Sequence, residues 1–111
     1  MDCTIERRGP DTLIILTGPL TGPALARNAA KVEKAAGAAR GGRVVADLRG
    51  VKDLDTAGVG LLFALYRRAL MAEARMALVK PPARFGRLMA AAGIERFMRV
   101  YETRAEALRG G

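Results

Sequence analysis

Thr56 is the residue in this chain best placed to undergo chemistry. It stands in the run Val44-Val45-Ala46-Asp47-Leu48-Arg49-Gly50-Val51-Lys52-Asp53-Leu54-Asp55-Thr56-Ala57-Gly58-Val59-Gly60-Leu61-Leu62. A β-branched apolar stretch leads into a turn crowded with acidic residues. One hydroxyl then precedes two glycines and a long apolar segment. The pattern puts Thr56 at or near a helix N-terminus, where the first backbone N–H groups have no intrahelical partner. A Thr oxygen there can cap those groups. The same N–H groups and the helix dipole favour negative charge, so the position also suits an added phosphate. Two readings of Thr56 therefore stand side by side, a helix cap and a modification site.

Other chemistries lack their residues. The chain has no histidine and a single cysteine, Cys3. That removes the commonest general base, the commonest metal ligand and any internal disulfide. The hydroxyls have no base to activate them as nucleophiles, so the residues argue against an enzyme. Asp47, Asp53 and Asp55 are close in sequence and present oxygens of the kind that hold a divalent ion. The alternative is an acidic turn that caps and solvates a helix start, and no metal or cofactor is expected. Gly58-Val59-Gly60 lacks the third glycine of a dinucleotide fingerprint and the Gly-Lys-Ser/Thr of a P-loop. These glycines are expected to let helix and sheet approach closely.

The elements that position Thr56 follow from periodicity and punctuation. Residues 3–8 and 12–17 read as strands joined by Arg8-Gly9-Pro10-Asp11, a turn signal. Thr12-Leu13-Ile14-Ile15-Leu16-Thr17 is nearly continuously apolar, as a strand covered on both faces should be. Gly18-Pro19-Leu20-Thr21-Gly22-Pro23 reads as an irregular connection. A helix from about 24 to 36 follows, with Leu25, Ala29, Val32 and Ala36 on one face, and Gly37 and Gly41-Gly42 end it. Arg43 to Leu48 is the third strand. The helix opening at Thr56 runs to about Glu73, with Val59, Leu62, Tyr66 and Ala69 as its stripe. Its apolar residues spread round the helix, so one or two of Val59, Leu61, Leu62 and Phe63 are expected to face outward beside Thr56. Met76 to Val79 is a fourth strand. Pro81-Pro82 opens another helix that ends at Gly93. Phe97 to Tyr101 alternates as a last strand, and Thr103 with Glu106 has capping-box spacing for a helix through Leu108. Gly110-Gly111 reads as a frayed tail. The order β-β-α-β-α-β-α-β-α predicts an α/β fold: a mixed, mostly parallel sheet of about five strands with about four helices and an antiparallel hairpin first.

At 111 residues and 50% hydrophobic, one compact domain spanning 1–111 is expected. No leader or membrane-spanning segment is read in it, which fits a cytoplasmic protein. The net charge of +8 comes from scattered basic residues, mostly Arg, without interleaved aromatics. That reads as a solvated surface and not as a nucleic-acid platform.

Together these segments resemble a STAS domain, the family named for sulfate transporters and anti-sigma-factor antagonists. The specific part of the resemblance is an acidic residue, a Ser or Thr, a small residue and Gly-Val-Gly at a helix start, here Asp55-Thr56-Ala57-Gly58-Val59-Gly60. The segments Leu16 to Leu20, Met76 to Val79 with Ala91-Ala92-Gly93-Ile94, and Phe97 to Leu108 extend the resemblance over nearly the whole chain. It implies an anti-sigma-factor antagonist that binds a kinase-type anti-sigma factor and so frees a sigma factor. It implies that phosphorylation of Thr56 ends that binding, and that Thr21, Asp53, Asp55, Thr56, Ala57, Gly58 and Val59 form the partner surface. Pairing with a second copy is left open. Thr21 stands where the family usually has an acidic residue, and Thr56 where antagonists commonly have Ser. A second implied role is the accessory subunit of a lipid-transport ABC system, with Thr56 as a contact residue on an ATPase. A third is a subunit of a stress-signalling assembly.

Overall fold

The computed structural model describes residues 1–110. Its strands are β1 (Asp2–Arg8), β2 (Asp11–Leu20), β3 (Arg43–Leu54), β4 (Arg75–Val79) and β5 (Arg99–Tyr101). Its helices are α1 (Gly22–Leu25), α2 (Ala29–Gly37), α3 (Thr56–Met71), α4 (Gly86–Ala91) and α5 (Arg104–Arg109). Single 3-10 turns lie at Ala83–Phe85 and Ile94–Arg96. The strands form one sheet in the order β1-β2-β3-β4-β5. β1 and β2 pair antiparallel through a two-residue loop in which Gly9 takes φ +61°, and the other three pairings are parallel. The mixed, mostly parallel α/β sheet expected from the sequence is the one found.

Both faces of the central strands are covered, which is why β2, the first half of β3 and β4 are apolar nearly throughout. One face carries the larger core, built from Ile14, Leu16, Val44, Ala46 and Leu78 with Val32 and Ala36 of α2, Leu62 and Leu65 of α3, and Met89 of α4. The other face carries a smaller core of Leu13, Val45, Ala77 and Val79 under Ala107 of α5. A buried carboxylate pins α5 in place. Asp47, 2% exposed, projects from β3 and accepts from Arg104 Nε at 2.5 Å and from Arg49 Nη2 at 3.0 Å. Arg43 adds a hydrogen bond from its guanidinium to the Leu108 carbonyl.

Several boundaries differ from the sequence reading, each for a local reason. β3 does not end at Leu48 but continues to Leu54, so the acidic segment expected as a turn is mostly strand. β2 likewise continues through Gly18-Pro19-Leu20, expected as irregular, and its last pairs are Pro19 with Asp53 and Leu20 with Leu54. Two register shifts make this possible, and Gly18 takes φ +76° at the second. The extra β3 residues let Arg49, Lys52 and Asp53 face solvent while Val51 and Leu54 stay buried. The first crossover splits into α1 and α2 at Asn28, whose side-chain amide donates to the Met1 carbonyl at 2.7 Å and does not cap α2. That gives five α-helices where about four were expected. Phe97 lies outside β5 and is 51% exposed, while Met98 is buried. Gly110, read as frayed, donates to the Glu106 carbonyl at 2.7 Å and packs against the Tyr101 ring so closely that an added Cβ would overlap it. Gly111 lies outside the described residues.

Candidate functional site at the start of the third helix

Because β2, β3 and β4 run parallel, the segments that leave their carboxyl ends gather at one edge of the sheet. Those segments are Thr21-Gly22 after β2, Asp55-Thr56 after β3 and Lys80 to Phe85 after β4. The gathering follows from topology: residues far apart in sequence meet once the strands are aligned.

Asp55 organises the site. It is the N-cap of α3, and its Oδ1 accepts from the Gly58 N–H at 2.9 Å. Its Oδ2 accepts from the Gly22 N–H at 3.0 Å, tying the loop after β2 to the helix start. The Asp55 N–H donates in turn to the Leu20 carbonyl at 3.4 Å. Hydrogen bonds from Gly22 first and Gly58 second hold the Asp55 carboxyl below its ordinary value, because both donors stabilise the charged form. Thr56 is therefore not the cap. It is the first residue of α3, and its side chain is exposed. The capping reading passes to Asp55 because β3 pairs with β2 through Leu54 and the chain turns at the next residue, so the helix starts one residue earlier than a cap at Thr56 requires.

The remaining sequence-derived residues divide by exposure. Thr21 precedes α1, half-buried, and its side chain makes no capping hydrogen bond. Asp53 and Ala57 are exposed, and Asp53 Oδ1 accepts from the adjacent Leu54 N–H. A Cβ built on Gly22 would lie 3.7 Å from the Ala57 Cβ, so the Thr21-Gly22 turn and the first turn of α3 form one continuous surface. Gly58 and Val59 are buried. A Cβ on Gly58 would sit 2.0 Å from the Leu20 carbonyl oxygen, so glycine there lets α3 lie directly on β2. Asp47 does not join Asp53 and Asp55. It faces α5, and among the described residues no three His, Cys, Asp or Glu side chains gather as a metal site. Leu61 and Leu62 are also buried and Phe63 is half-buried, so no large apolar side chain of α3 projects beside Thr56. Among the described residues the exposed large apolar side chains are Leu70, Met71 and Phe97, near the far end of α3.

Sequence reasoning missed Arg84 and Lys52. The Arg84 guanidinium donates to the Lys52 carbonyl at 2.6 Å and lies 4.5 Å from the Phe85 ring centroid. This sets the Arg84 cation at the end of β3, against the carbonyl that precedes Asp53. The signal was the parallel β3-β4 pairing, which obliges the segment after Val79 to pass the end of β3.

The site is thus an exposed hydroxyl on a helix start pinned by Asp55, with Asp53 exposed two residues before the cap. A family model described as Mlab, STAS domain matches residues 3–101. The chain belongs to the STAS family. It is similar in structure to an anti-sigma-factor antagonist (STAS) domain protein from Planctomyces limnophilus, at TM-score 0.83 and 19% identity, covering 97% of this chain and 96% of that one. It is also similar to the unphosphorylated form of the anti-sigma factor antagonist SpoIIAA, at TM-score 0.77 and 22% identity, covering 96% and 92%. The phosphorylated form of the Bacillus cell fate determinant SpoIIAA matches at TM-score 0.71 and 23% identity, covering 96% of each chain. These solved structures share the fold of this chain. No curated protein matches it by sequence. Among the described residues no helix is long and apolar enough to cross a membrane.

Proposed function

We propose that residues 1–111 act as one domain that works by binding and not by catalysis: an anti-sigma-factor antagonist. In this reading it binds a serine/threonine-kinase-type anti-sigma factor in the cytoplasm and so releases a sigma factor. The docking surface is Thr21, Asp53, Asp55, Thr56 and Ala57, with Gly58 and Val59 supporting it from beneath. Phosphorylation of Thr56 turns the binding off. The observation that carries the proposal is the exposed Thr56 side chain on a helix start already pinned by Asp55. A kinase can reach the hydroxyl without unfolding anything. The phosphate would add roughly −1.5 to −2 charges beside Asp53 and Asp55, enough to repel a docked surface while the helix N–H groups tolerate it.

The test is capture of partners from the parent cell's lysate with wild-type, Thr56→Ala and Thr56→Glu proteins, with mass spectrometry of bait and captured proteins. The expected result is a histidine-kinase-like ATPase held by wild type and Thr56→Ala, lost with Thr56→Glu, and phosphate on Thr56 of the recovered bait. A second reading, docking on the ATPase of an ABC transporter, is favoured by Thr21 at the position where antagonists usually carry an acid. Recovery of a transporter ATPase with unmodified Thr56 would replace the first reading with the second.

A further inference from the structure

The far end of α3 carries a second surface that the site around Thr56 does not use. Leu70 is 58% exposed, Met71 84% and Phe97 51%. These are the exposed large apolar side chains among the described residues. Phe97 meets the Phe63 ring edge-to-face at 5.5 Å between centroids and the Tyr66 ring at 5.8 Å. Half of the Phe97 surface stays in water although two aromatic neighbours hold the ring in place. Beside it runs a groove of about 260 Å³ whose walls include Tyr66, Leu70, Phe97, Arg43, Arg75 and Arg99. Three arginines line it, and among the described residues no Asp or Glu side chain does. Arg43 does bond to the Leu108 carbonyl, but that acceptor is uncharged and leaves its positive charge in place. Arginines and aromatics that look scattered along the chain thus come together in the fold.

We infer that this groove is a docking surface for an acidic segment of a protein partner, one that places apolar anchors against Phe97, Leu70 and Met71 and carboxylates against Arg43 and Arg75. A rigid aromatic with part of its surface in water, rimmed by arginine, is the composition of an interface centre. The charge selects the occupant. A second copy of this chain would bring the same arginines against these in a two-fold interface, and each copy carries net charge +8. A nucleic-acid strand would need several exposed rings to stack on, whereas the most exposed large residues here are Leu70 and Met71, which carry no ring. The groove, at about 260 Å³, is also smaller than small-ligand cavities, which start at about 300 Å³. Leu70 lies fourteen residues along α3 from Thr56, about 21 Å at the helical rise. The two surfaces are separate, and this inference does not depend on the reading of Thr56.

The test uses the full chain labelled with 15N. The probe is a synthetic amphipathic peptide of roughly 15 residues with Leu at helical period on one face and Glu elsewhere. A counterpart with Lys for Glu and an oligothymidylate serve as controls. The Glu peptide should shift the amides of Tyr66, Leu70, Phe97 and Arg99 saturably, bind about tenfold tighter than the Lys peptide, and weaken as salt rises. Met71→Glu and Phe97→Ser should each weaken it about tenfold, and Thr56→Glu should leave it unchanged. Met71 is the most exposed of the three, so Met71→Glu decides the matter if Phe97→Ser fails to fold. The inference is overturned by any of four results: no saturable shifts at the groove, equal binding of the Lys peptide, tighter binding of oligothymidylate there, or a dimer in sedimentation that Met71→Glu dissolves.

Discussion

Two glycines two residues apart in α3 should respond to the same substitution with opposite signs. At Gly58, an added Cβ would stand 2.0 Å from the Leu20 carbonyl oxygen and 2.8 Å from Leu54 Cδ1. The first neighbour is backbone and cannot rotate away, so helix and strand must separate by roughly an ångström. Overpacking of this kind costs up to about 3 kcal/mol. The gain in helix propensity from Gly to Ala offsets it by about 0.5–1 kcal/mol, leaving Gly58→Ala destabilised by about 2 kcal/mol. At Gly60 nothing lies within 4 Å of the added Cβ, and the position faces solvent. Only the propensity gain applies there, so Gly60→Ala should be stabilised by about 0.5–1 kcal/mol. The two variants should therefore differ by about 3 kcal/mol, or about 10 °C in Tm at this chain length. Urea unfolding followed by circular dichroism gives both values, with unchanged m as the check that only stability moved. Displacing the Leu20 carbonyl also disturbs its hydrogen bond from Asp55, so Gly58→Ala should weaken partner binding without touching the partner. A neutral Gly58→Ala, or a Gly60→Ala as damaging as Gly58→Ala, would refute the packing argument.

Asp55→Ala should lower Tm measurably, whereas Thr56→Ala should change stability by less than about 0.5 kcal/mol, as an ordinary surface substitution does; thermal melts of the pair show which residue caps α3. Acid should weaken the fold through Asp47. Burial pushes that carboxyl up, but hydrogen bonds from Arg49 and Arg104 together outweigh burial and leave it below its ordinary value. A lowered value means that its contribution is complete above the unfolded pKa of about 3.9 and is lost as pH falls below it. Urea midpoints should stay level from neutral pH to about 5 and drop below about 4. Asp47→Asn should cost about 1–3 kcal/mol at neutral pH and make the acid drop shallower. An acid limb unchanged in Asp47→Asn would show that other carboxylates govern it. Arg104→Ala should release α5 first, seen as faster amide exchange over residues 104–109 while α2 and α3 stay protected.

Local signals carried most of the architecture. Alternating and continuous apolar runs marked all five strands, because a strand or helix buries a face at its own period whatever surrounds it, but Gly18-Pro19 and Gly50 did not end β2 and β3, which pair on past them. The Thr103–Glu106 capping box was legible because both partners lie within one turn, and its backbone and side-chain bonds are present as spaced. The site was legible as a segment, Asp53 to Val59, but not as a surface. Asp55 and Thr56 are both good caps. The choice between them rests on where β3 stops, which its pairing with Leu20 of another strand decides.

The sequence alone thus determined the run of strands and helices, the leading hairpin and the hydroxyl at a helix start, which follow from local pattern, and the alternation of strands with helices implied the parallel pairings through right-handed crossovers. Only the tertiary structure decided that Asp55 clamps both Gly22 and Gly58 and that Gly58 admits the Leu20 carbonyl. It alone brought Arg84 beside Lys52 and gathered Phe63, Tyr66 and Phe97 at the surface near a groove lined with arginine. Those arrangements join residues separated by long stretches of chain, and strand register and sheet order, not local preference, set the distances between them.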